Sequence, residues 1–273
     1  MNRLGVLGWP VAHSRSPAMH NAAFAALGMA DWHYQRLPVS PQLLAETVRA
    51  LPAAGFLGAN VTIPHKQHAL ELADEASRAA RAIGAANTLS FGSDGSISAE
   101  NTDAPGLLAA LAMPVEGLRA QVLGAGGSAR AAVWGLLDAG AAEVLVWNRT
   151  SGRARELAEQ LGARAVDMPR SADLLVNCTS VGLYVERSAS GDGALNQFGL
   201  EGDQIGEYSY VADLVYSSGP TPLLAAAAAA GARTVDGLEI LAAQGALSFA
   251  LWTGREPPQE LMLRAAREEP PAS

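Results

Sequence analysis

The sequence predicts an α/β protein in which a doubly wound parallel sheet follows a smaller α/β region. From about residue 119, short apolar runs alternate with helical segments of about 10–15 residues, which is typical of right-handed βαβ units. Before residue 105, strand-like and helical runs are mixed, and beyond residue 237 the pattern is helical. The length of 273 residues is enough for two domains of about 100–150 residues each.

In the first region, residues 4–8 form an apolar run that ends in glycine and predicts a strand. Ser16, followed by proline, predicts the start of a helix that runs to about residue 28, with Ser16 as its N-cap. Residues 60–63 predict a second strand, which the next proline stops. Residues 65–83 predict a mostly helical segment that ends at the following glycine.

The later elements follow from the same signals. The predicted strands are residues 120–123, 143–147, 173–176 and 211–215. A helix is predicted to follow the turn over residues 124–129 and to run to about residue 139, and the further predicted helices are residues 151–161, 221–231, 238–252 and 257–267. The stretch 184–208 is polar and contains glycine, so it predicts a long irregular connection near the edge of the sheet.

The composition excludes several classes of function. The net charge of −8 and the lack of a basic run argue against a nucleic-acid-binding surface. The sequence has no apolar run long enough for a membrane helix, and the run at its N-terminus is too short for a secretory signal. The single cysteine, Cys178, excludes an internal disulfide framework and a multi-cysteine zinc site. We expect a cytoplasmic globular protein. No metal is expected, because the spacing of four histidines matches no recognised metal-ligand pattern. They are His13, His20, His65 and His68.

One lysine stands out. The chain has 19 basic residues, and Lys66 is the only lysine among them. Arginine supplies charge and ion pairs, but its pKa above about 12 bars it from proton transfer in practice. Lysine can act as an acid or a base. Two interpretations stay open here: Lys66 is a proton-transfer group, or one lysine persists by chance in an arginine-rich composition.

A nucleotide-binding turn is predicted after the first strand of the second region. Gly124-x-Gly126-x-x-Ala129 follows a strand and opens a helix, which is the context that the dinucleotide fingerprint requires. The glycines let the main chain turn tightly and approach a pyrophosphate, whose charge lies at the helix N-terminus. The turn indicates a Rossmann-like domain, although glycine-rich turns also serve packing alone.

The end of the next strand indicates which dinucleotide is bound. An NAD site usually has Asp or Glu there to bind the ribose 2′-hydroxyl. This chain has Asn148-Arg149-Thr150 instead, with Arg153 one turn later. Guanidinium groups and a hydroxyl suit a 2′-phosphate, so the favoured cofactor is NADP. The alternative is that Asn148 and Thr150 only cap the next helix.

Polar residues follow several of the apolar runs in the first region. Ser14 and Ser16 flank a turn before a helix N-terminus, where hydroxyls and main-chain N–H groups favour an anion such as a carboxylate. Further polar groups lie in residues 60–66, 84–88 and 101–103. A lysine and an aspartate brought together there would form a proton-transfer pair. Spacing does not show whether Lys66 and Asp103 meet, and for Asp103 a helix cap is the alternative.

Taken in order, these segments resemble the shikimate dehydrogenase family of NADP-dependent enzymes. The resemblance covers nearly the whole chain through GWPVAHSRSPAMHN, NVTIPHK, GAANT, NTD, GAGGSAR, NRT, NCTSVGL, DLVY, TPLL and DGLEILAAQGALSFALWTG. It implies the reversible, NADPH-dependent reduction of 3-dehydroshikimate to shikimate, a step of aromatic amino-acid biosynthesis.

The resemblance also implies roles for individual residues. Lys66 and Asp103 would be the catalytic pair, which passes a proton to or from the oxygen at the reacting carbon. The substrate-binding residues would be Ser14, Ser16, Thr62, Lys66, Asn87, Asp103, Tyr216 and Gln244. The cofactor-binding residues would be Gly124, Ala125, Gly126, Gly127, Ser128 and Ala129 at the pyrophosphate, Asn148, Arg149, Thr150 and Arg153 at the adenosine end, and Leu214 and Gly237 beside the nicotinamide.

The implied architecture is a substrate domain over residues 1–105 and an NADP-binding domain over residues 106–237, with a cleft between them. Helices over residues 238–273 would return to the first domain. The expected partners are small molecules, and the chain would be a monomer or a homodimer. Three residues depart from the usual family pattern and leave substrate affinity open: Ala86, Ala99 and Glu100.

Two alternatives to this function remain. One is a quinate/shikimate dehydrogenase that also accepts NAD, because quinate differs from shikimate too little for the sequence to distinguish them. The other is a catalytically silent protein that senses NADP, which would be expected to lack Lys66 or Asp103. Both of these residues are present.

Overall fold

A computed structural model describes residues 1–182, 195–200, 203–217 and 219–268. The chain divides into two compact units. The first contains residues 1–106 and the described residues from 241 onward, and the second contains residues 107–240. Among the described helices, none combines the length and apolar character needed to span a membrane.

The first unit is built on a six-stranded mixed sheet in the order β2-β1-β3-β5-β6-β4. Its elements in chain order are β1 (Asn2–Gly8), α1 (Ser16–Ala26), β2 (Trp32–Pro38), α2 (Leu44–Ala50), β3 (Phe56–Val61), α3 (Lys66–Glu71), β4 (Glu75–Ala76), α4 (Arg78–Ile83), β5 (Thr88–Phe91), β6 (Ile97–Glu100) and α5 (Asp103–Leu111). A 3₁₀ turn over Pro41–Leu43 precedes α2.

The strand directions bring several loops to one edge of this sheet. Strands β1, β2 and β3 are parallel, whereas β5 is antiparallel to β3, and β6 is antiparallel to β5. The ends of β1, β3 and β6 and the start of β5 therefore lie at the same edge. One face of this sheet packs against a hydrophobic core, in which Val48 of α2 is fully buried. Leu7 of β1, Ala59 of β3 and Leu89 of β5 are fully buried in the same core.

The structure corrects two expectations for the first unit. Ser16 is the first residue of α1 rather than its N-cap, because Arg15 occupies the N-cap position and no side chain caps this helix. Residues 65–83 are not one helix but two short helices with strand β4 between them. The break occurs where Asp74 pairs with Ile97 at the start of β6, its main-chain N–H donating to the carbonyl of Ile97. Tertiary pairing overrides local helix propensity there.

The second unit contains a parallel six-stranded sheet in the order β12-β11-β10-β7-β8-β9. The elements from residue 119 onward are β7 (Arg119–Leu123), α6 (Gly127–Asp138), β8 (Glu143–Trp147), α7 (Ser151–Leu161), β9 (Arg164–Ala165), β10 (Leu174–Asn177), 3₁₀ turns at Asn196–Phe198 and Gln204–Glu207, β11 (Tyr210–Asp213), α8 (Pro222–Ala229), β12 (Arg233–Val235), α9 (Gly237–Thr253) and α10 (Gln259–Arg267). Helices α5 and α9 continue across the boundaries between the units.

This second sheet is covered by helices on both faces. Alternate residues of a strand point to opposite faces. Val122 of β7 therefore packs in one cluster with α6 and α7, whereas Leu123 packs in another cluster with α8. The strand order matches the doubly wound dinucleotide fold, with its switch point between β7 and β10. The α/β fold with a Rossmann-like unit that the sequence predicts is confirmed.

The predicted irregular connection over residues 184–208 is described only in part. Residues 183–194 and 201–202 lie outside the described residues. The described part contributes Phe198 and Ile205 to the apolar cluster beneath α8.

Candidate active site

The predicted polar residues of the first unit follow the strand ends that share one edge of the sheet. The loop with Ser14 follows β1, the segment Thr62–Lys66 follows β3, Asn87 precedes β5, and Asp103 follows β6. The register pairs Asn60 with Thr88 and Thr88 with Glu100, so these segments begin at the same level of the sheet. The topology therefore gathers side chains that are far apart in the sequence.

Lys66 and Asp103 form an ion pair at this edge. The Lys66 Nζ lies 2.7 Å from the Asp103 Oδ2, and the two side chains are only 10% and 14% exposed. Lys66 is the first residue of α3, and Asp103 is the first residue of α5. Asp103 does not act as the helix cap: the Asn101 Oδ1 accepts from the main-chain N–H groups of Asp103 and Ala104 at 3.1 and 3.3 Å. The Asp103 carboxylate is thus available to the ion pair.

Asn87 donates to the second oxygen of the same carboxylate. Its Nδ2 lies 2.9 Å from the Asp103 Oδ1, 2.9 Å from the Thr102 Oγ1 and 3.1 Å from the Gln244 Oε1. Its Oδ1 accepts from the main-chain N–H of Thr102 at 2.7 Å. Because a main-chain N–H only donates, this bond fixes the amide with its N–H groups toward Asp103. Asn87, Asp103 and Gln244 are thereby brought together.

Ser14, just before α1, and Ser16, its first residue, are both buried, at 5% and 3% exposure. The Ser14 Oγ accepts from the main-chain N–H of Ser16 at 3.3 Å. The Arg36 guanidinium donates twice to the Ser14 carbonyl, at 3.1 and 2.8 Å, and fixes the turn. Arg36 was not among the predicted site residues, since nothing in the local pattern of β2 separates it from an ordinary surface arginine.

Two further residues predicted to bind substrate, Thr62 and Tyr216, lie in different units. Thr62 lies directly after β3, is half-buried, and donates its main-chain N–H to the Leu7 carbonyl at 2.8 Å. Tyr216 lies in the second unit, three residues beyond the end of β11, and is also half-buried. Its assignment to the substrate rests on the family resemblance.

Glu100 departs from the family pattern, and its carboxylate forms hydrogen bonds with two residues of the first unit. Its carboxylate accepts from the hydroxyl of Ser77 and from the main-chain N–H of Asn101. The alanines at 86 and 99 are fully or almost fully buried. Among the described residues, no group of three or more His, Cys, Asp and Glu side chains has the proximity to hold a metal ion.

The geometry of the glycine turn fits a dinucleotide pyrophosphate. Gly124 follows β7 with a φ of +110°, which L side chains rarely adopt, and a Cβ there would lie 3.2 Å from the main chain of Cys178. Gly126 occupies the N-cap position of α6, where it adds no side chain, and the first helical turn contains no acidic residue. A Cβ at Gly126 would meet no atom within 4 Å, so the main chain there is open to a ligand. The N-terminus of α6 can therefore receive an anion.

The segment after β8 is suited to the adenosine end of the cofactor. Asn148 Nδ2 donates to the Thr150 carbonyl at 3.0 Å, and Thr150 occupies the N-cap position of α7 without a side-chain bond. Arg149 and Arg153 are exposed, and among the described residues neither guanidinium forms an ion pair. Side-chain capping therefore does not account for this motif, and two cations are available to a phosphate.

Leu214 and Gly237, predicted to lie beside the nicotinamide, are close to each other. A Cβ at Gly237 would lie 2.7 Å from the carbonyl oxygens of Leu214 and Val215. Only glycine allows α9 to begin this close to the end of β11.

Family models match three segments of the chain. They are described as the shikimate dehydrogenase substrate binding domain at residues 6–89, shikimate / quinate 5-dehydrogenase at residues 108–185, and the shikimate 5′-dehydrogenase C-terminal domain at residues 237–267.

Similar proteins match over nearly the full length. The shikimate dehydrogenase (NADP(+)) of Methanopyrus kandleri is 44% identical, with 98% of this chain and 95% of that protein covered. The enzyme of the same name from Paracoccus denitrificans is 43% identical, over 96% and 94%. The crystal structure of shikimate 5-dehydrogenase from Thermus thermophilus in complex with NADP(H) and shikimate is 42% identical, with a TM-score of 0.86 over 98% of this chain and 99% of that one. The chain belongs to the shikimate dehydrogenase family.

Proposed function

We propose that this protein catalyses the reversible reduction of 3-dehydroshikimate to shikimate with NADPH, as a step of aromatic amino-acid biosynthesis. The buried ion pair between Lys66 and Asp103 carries this proposal. A lysine paired with a carboxylate is suited to proton transfer to a carbonyl oxygen, and Lys66 is the only lysine in the sequence. The names of the relatives support the same reaction.

The substrate carboxylate would bind at the Ser14 and Ser16 hydroxyls, near the N-terminus of α1. The ring hydroxyls would bind Thr62, Asn87, Asp103 and Gln244, and Tyr216 would lie near the carboxylate. Asn87 and Gln244 carry amide groups, which can form hydrogen bonds with hydroxyl groups. This set of polar side chains would suit a small polyhydroxylated acid.

The chemistry divides between the cofactor and the chain. NADPH, when bound, supplies the hydride for the carbonyl carbon. The Lys66 ammonium donates the proton that converts the carbonyl oxygen into a hydroxyl, and a proton from solvent restores it. The Asp103 carboxylate, 2.7 Å from the Lys66 Nζ, would hold the Lys66 ammonium in place for this transfer. In the oxidative direction, the Lys66 amine accepts the same proton.

The residues of the second unit would bind NADP. Residues 124–129 would hold the pyrophosphate on the N-terminus of α6. Arg149 would bind the 2′-phosphate, together with Thr150 and Arg153, and Asn148 would shape the turn beneath it. Leu214 and Gly237 would contact the nicotinamide. The absence of an acid after β8 favours NADP over NAD.

A second candidate is a dehydrogenase that also oxidises quinate, because the model matching residues 108–185 is described as shikimate / quinate 5-dehydrogenase. Initial rates of nicotinamide reduction with shikimate or quinate, each with NADP and NAD, distinguish the two. Activity largely confined to shikimate with NADP supports the first proposal. Comparable activity with quinate and NAD supports the second. No activity in any pair, with NADP still bound, would instead indicate a silent NADP sensor.

We further propose that the protein acts in the cytoplasm as a monomer or a homodimer. The small-molecule reaction and the absence of disulfide-forming cysteine pairs support this location. Sedimentation equilibrium of the purified protein would determine the oligomeric state.

A further inference from the structure

Asn60 lies directly behind the site and has no assigned role. It is the penultimate residue of β3, only 5% exposed, and begins the segment that continues to Lys66. Its Nδ2 lies 3.1 Å from the Asn87 carbonyl oxygen, 3.1 Å from the Thr88 Oγ1 and 3.0 Å from the Ser248 Oγ. One buried amide therefore joins β3 to β5 and to α9.

The orientation of this amide is determined by its partners. The Asn87 carbonyl can only accept, so the atom of Asn60 that faces it must be the nitrogen. The oxygen then points to Tyr34, whose hydroxyl donates to it at 2.7 Å. Tyr34 is itself fixed by stacking on His20, with ring centroids 4.4 Å apart and an interplanar angle of 6°. Burial lowers the pKa of His20 to about 3, so this ring is neutral.

Asn60 supports two of the side chains proposed to bind substrate. It holds Asn87 by the main-chain carbonyl, while Thr102 holds the Asn87 side-chain oxygen. It also donates to Ser248, whose hydroxyl bonds the Gln244 carbonyl at 3.2 Å one turn earlier in α9. Asn60 is therefore one hydrogen bond away from Asn87 and two away from Gln244.

We propose that Asn60 is a positioning residue for the reaction: it holds Asn87 so that the Asn87 amide donates to the Asp103 carboxylate. The inference rests on the proposed roles of Asn87 and Asp103. Asn60 is 5% exposed, and the hydrogen bonds of its side chain go to other residues of the first unit, so it would act through these neighbours. Misplacement of a reacting group by about 1 Å can cost on the order of 100-fold in rate, so a buried amide behind the site can control turnover.

The first test is Asn60→Asp, which keeps the shape but replaces both N–H groups with an oxygen that repels the Asn87 carbonyl. We expect kcat to fall by about 10- to 100-fold. The pH profile of kcat should also change, because the contact between Asn87 and Asp103 is altered. The KM for NADP should stay as in the wild type, since the residues proposed to bind NADP belong to the other unit.

A matched control is Gln121→Glu. Gln121 is also a buried amide: its Nε2 donates to the main-chain carbonyls of Val122 and Leu145 at 3.2 and 3.3 Å, and its Oε1 accepts from the main-chain N–H of Arg170 at 3.0 Å. It belongs to the second unit and has no bond to Tyr34, Asn87 or Ser248 among the described residues. The control should lose stability without the change in kcat or in its pH profile. Equal losses of kcat in the two variants would overturn the inference.

A second measurement stays decisive even where Asn60→Asp does not fold. Tyr34→Phe removes only the hydroxyl that fixes the Asn60 oxygen, and kcat should fall by about 2- to 5-fold, a fraction of one hydrogen bond. If Asn60 acts through Asn87, adding Tyr34→Phe to Asn87→Ala should cause no further loss.

Losses that multiply in the double variant would overturn the inference, and so would an unchanged kcat in Tyr34→Phe. A wild-type protein that does not oxidise shikimate with NADP would overturn the proposed function. An active wild type with unaffected variants overturns the role of Asn60 alone.

Discussion

The stability of the second unit should increase as the pH falls from 7 to 5, because of Asp213. This residue ends β11 and is fully buried. Its carboxylate accepts from the Thr221 hydroxyl at 2.6 Å, the Asn177 amide at 2.8 Å and the Val215 main-chain N–H at 3.0 Å. Burial raises the pKa of this carboxyl to about 6, although the three donors oppose the increase.

The magnitude follows from linkage. The ordinary value of 3.8 applies to the unfolded chain, so the folded state binds the proton more tightly. Stability from this group is therefore complete below about pH 4 and is lost as the pH rises to about 6. One pKa unit corresponds to about 1.4 kcal/mol, so the whole effect is about 3 kcal/mol. Between pH 7 and pH 5, the folded state gains about 1 kcal/mol.

The assay compares wild type with Asp213→Asn by urea unfolding at both pH values, followed by circular dichroism. The amide has the same shape but takes up no proton. The wild type should therefore gain about 1 kcal/mol in free energy of unfolding relative to this variant on going from pH 7 to pH 5. The comparison is valid if the free energy of unfolding falls with urea concentration at the same slope in the two proteins.

A control variant separates burial from charge. Asp138 is an exposed carboxylate of the same unit, at the end of α6. Asp138→Asn should keep the pH dependence of the wild type, because water solvates that carboxylate in both states. A constant difference between wild type and Asp213→Asn at the two pH values would refute the reasoning, and a difference that moves in the opposite direction would do the same.

Three further predictions concern the sites and the packing. Lys66→Arg keeps the charge but not the transferable proton, so kcat should fall by about 100-fold or more in initial-rate assays; near-normal turnover would contradict the proposed acid. Arg149→Ala should raise the KM for NADP about 10-fold or more and leave the KM for NAD nearly unchanged; equal changes would argue against a 2′-phosphate contact. Gly58→Ala should destabilise the first unit by about 1–3 kcal/mol, because a Cβ would lie 2.6 Å from the Leu89 carbonyl and would clash with the Trp252 indole; a thermal melt with the wild-type Tm would contradict this.

Local pattern was sufficient where the chain is regular. The predicted strand 143–147 and helix 151–161 coincide with β8 and α7. Thr221 caps α8 as the Thr-Pro start suggests, its hydroxyl accepting from the Leu224 main-chain N–H. Apolar strands bounded by glycine, and helices that begin at capping residues, carry their signals within a few residues.

Short or antiparallel strands escaped prediction. Strands β5, β6, β9 and β12 have two to four residues each, too few for a period of two to be seen. Strand β4 was predicted as helix, and it exists because it pairs with β6. For such segments, the partner strand decides the structure, and the partner is far away in the sequence.

The sequence by itself determined the fold class, the turn over residues 124–129, the lack of an acid after β8, and a family whose motifs occur in order along the chain. Only the tertiary structure decided that Lys66 and Asp103, 37 residues apart, lie in contact at 2.7 Å. It also decided which way the amides of Asn60 and Asn87 point. The reason is physical: composition and spacing act along the chain, whereas these contacts depend on the order and direction of β3, β5 and β6 in the sheet.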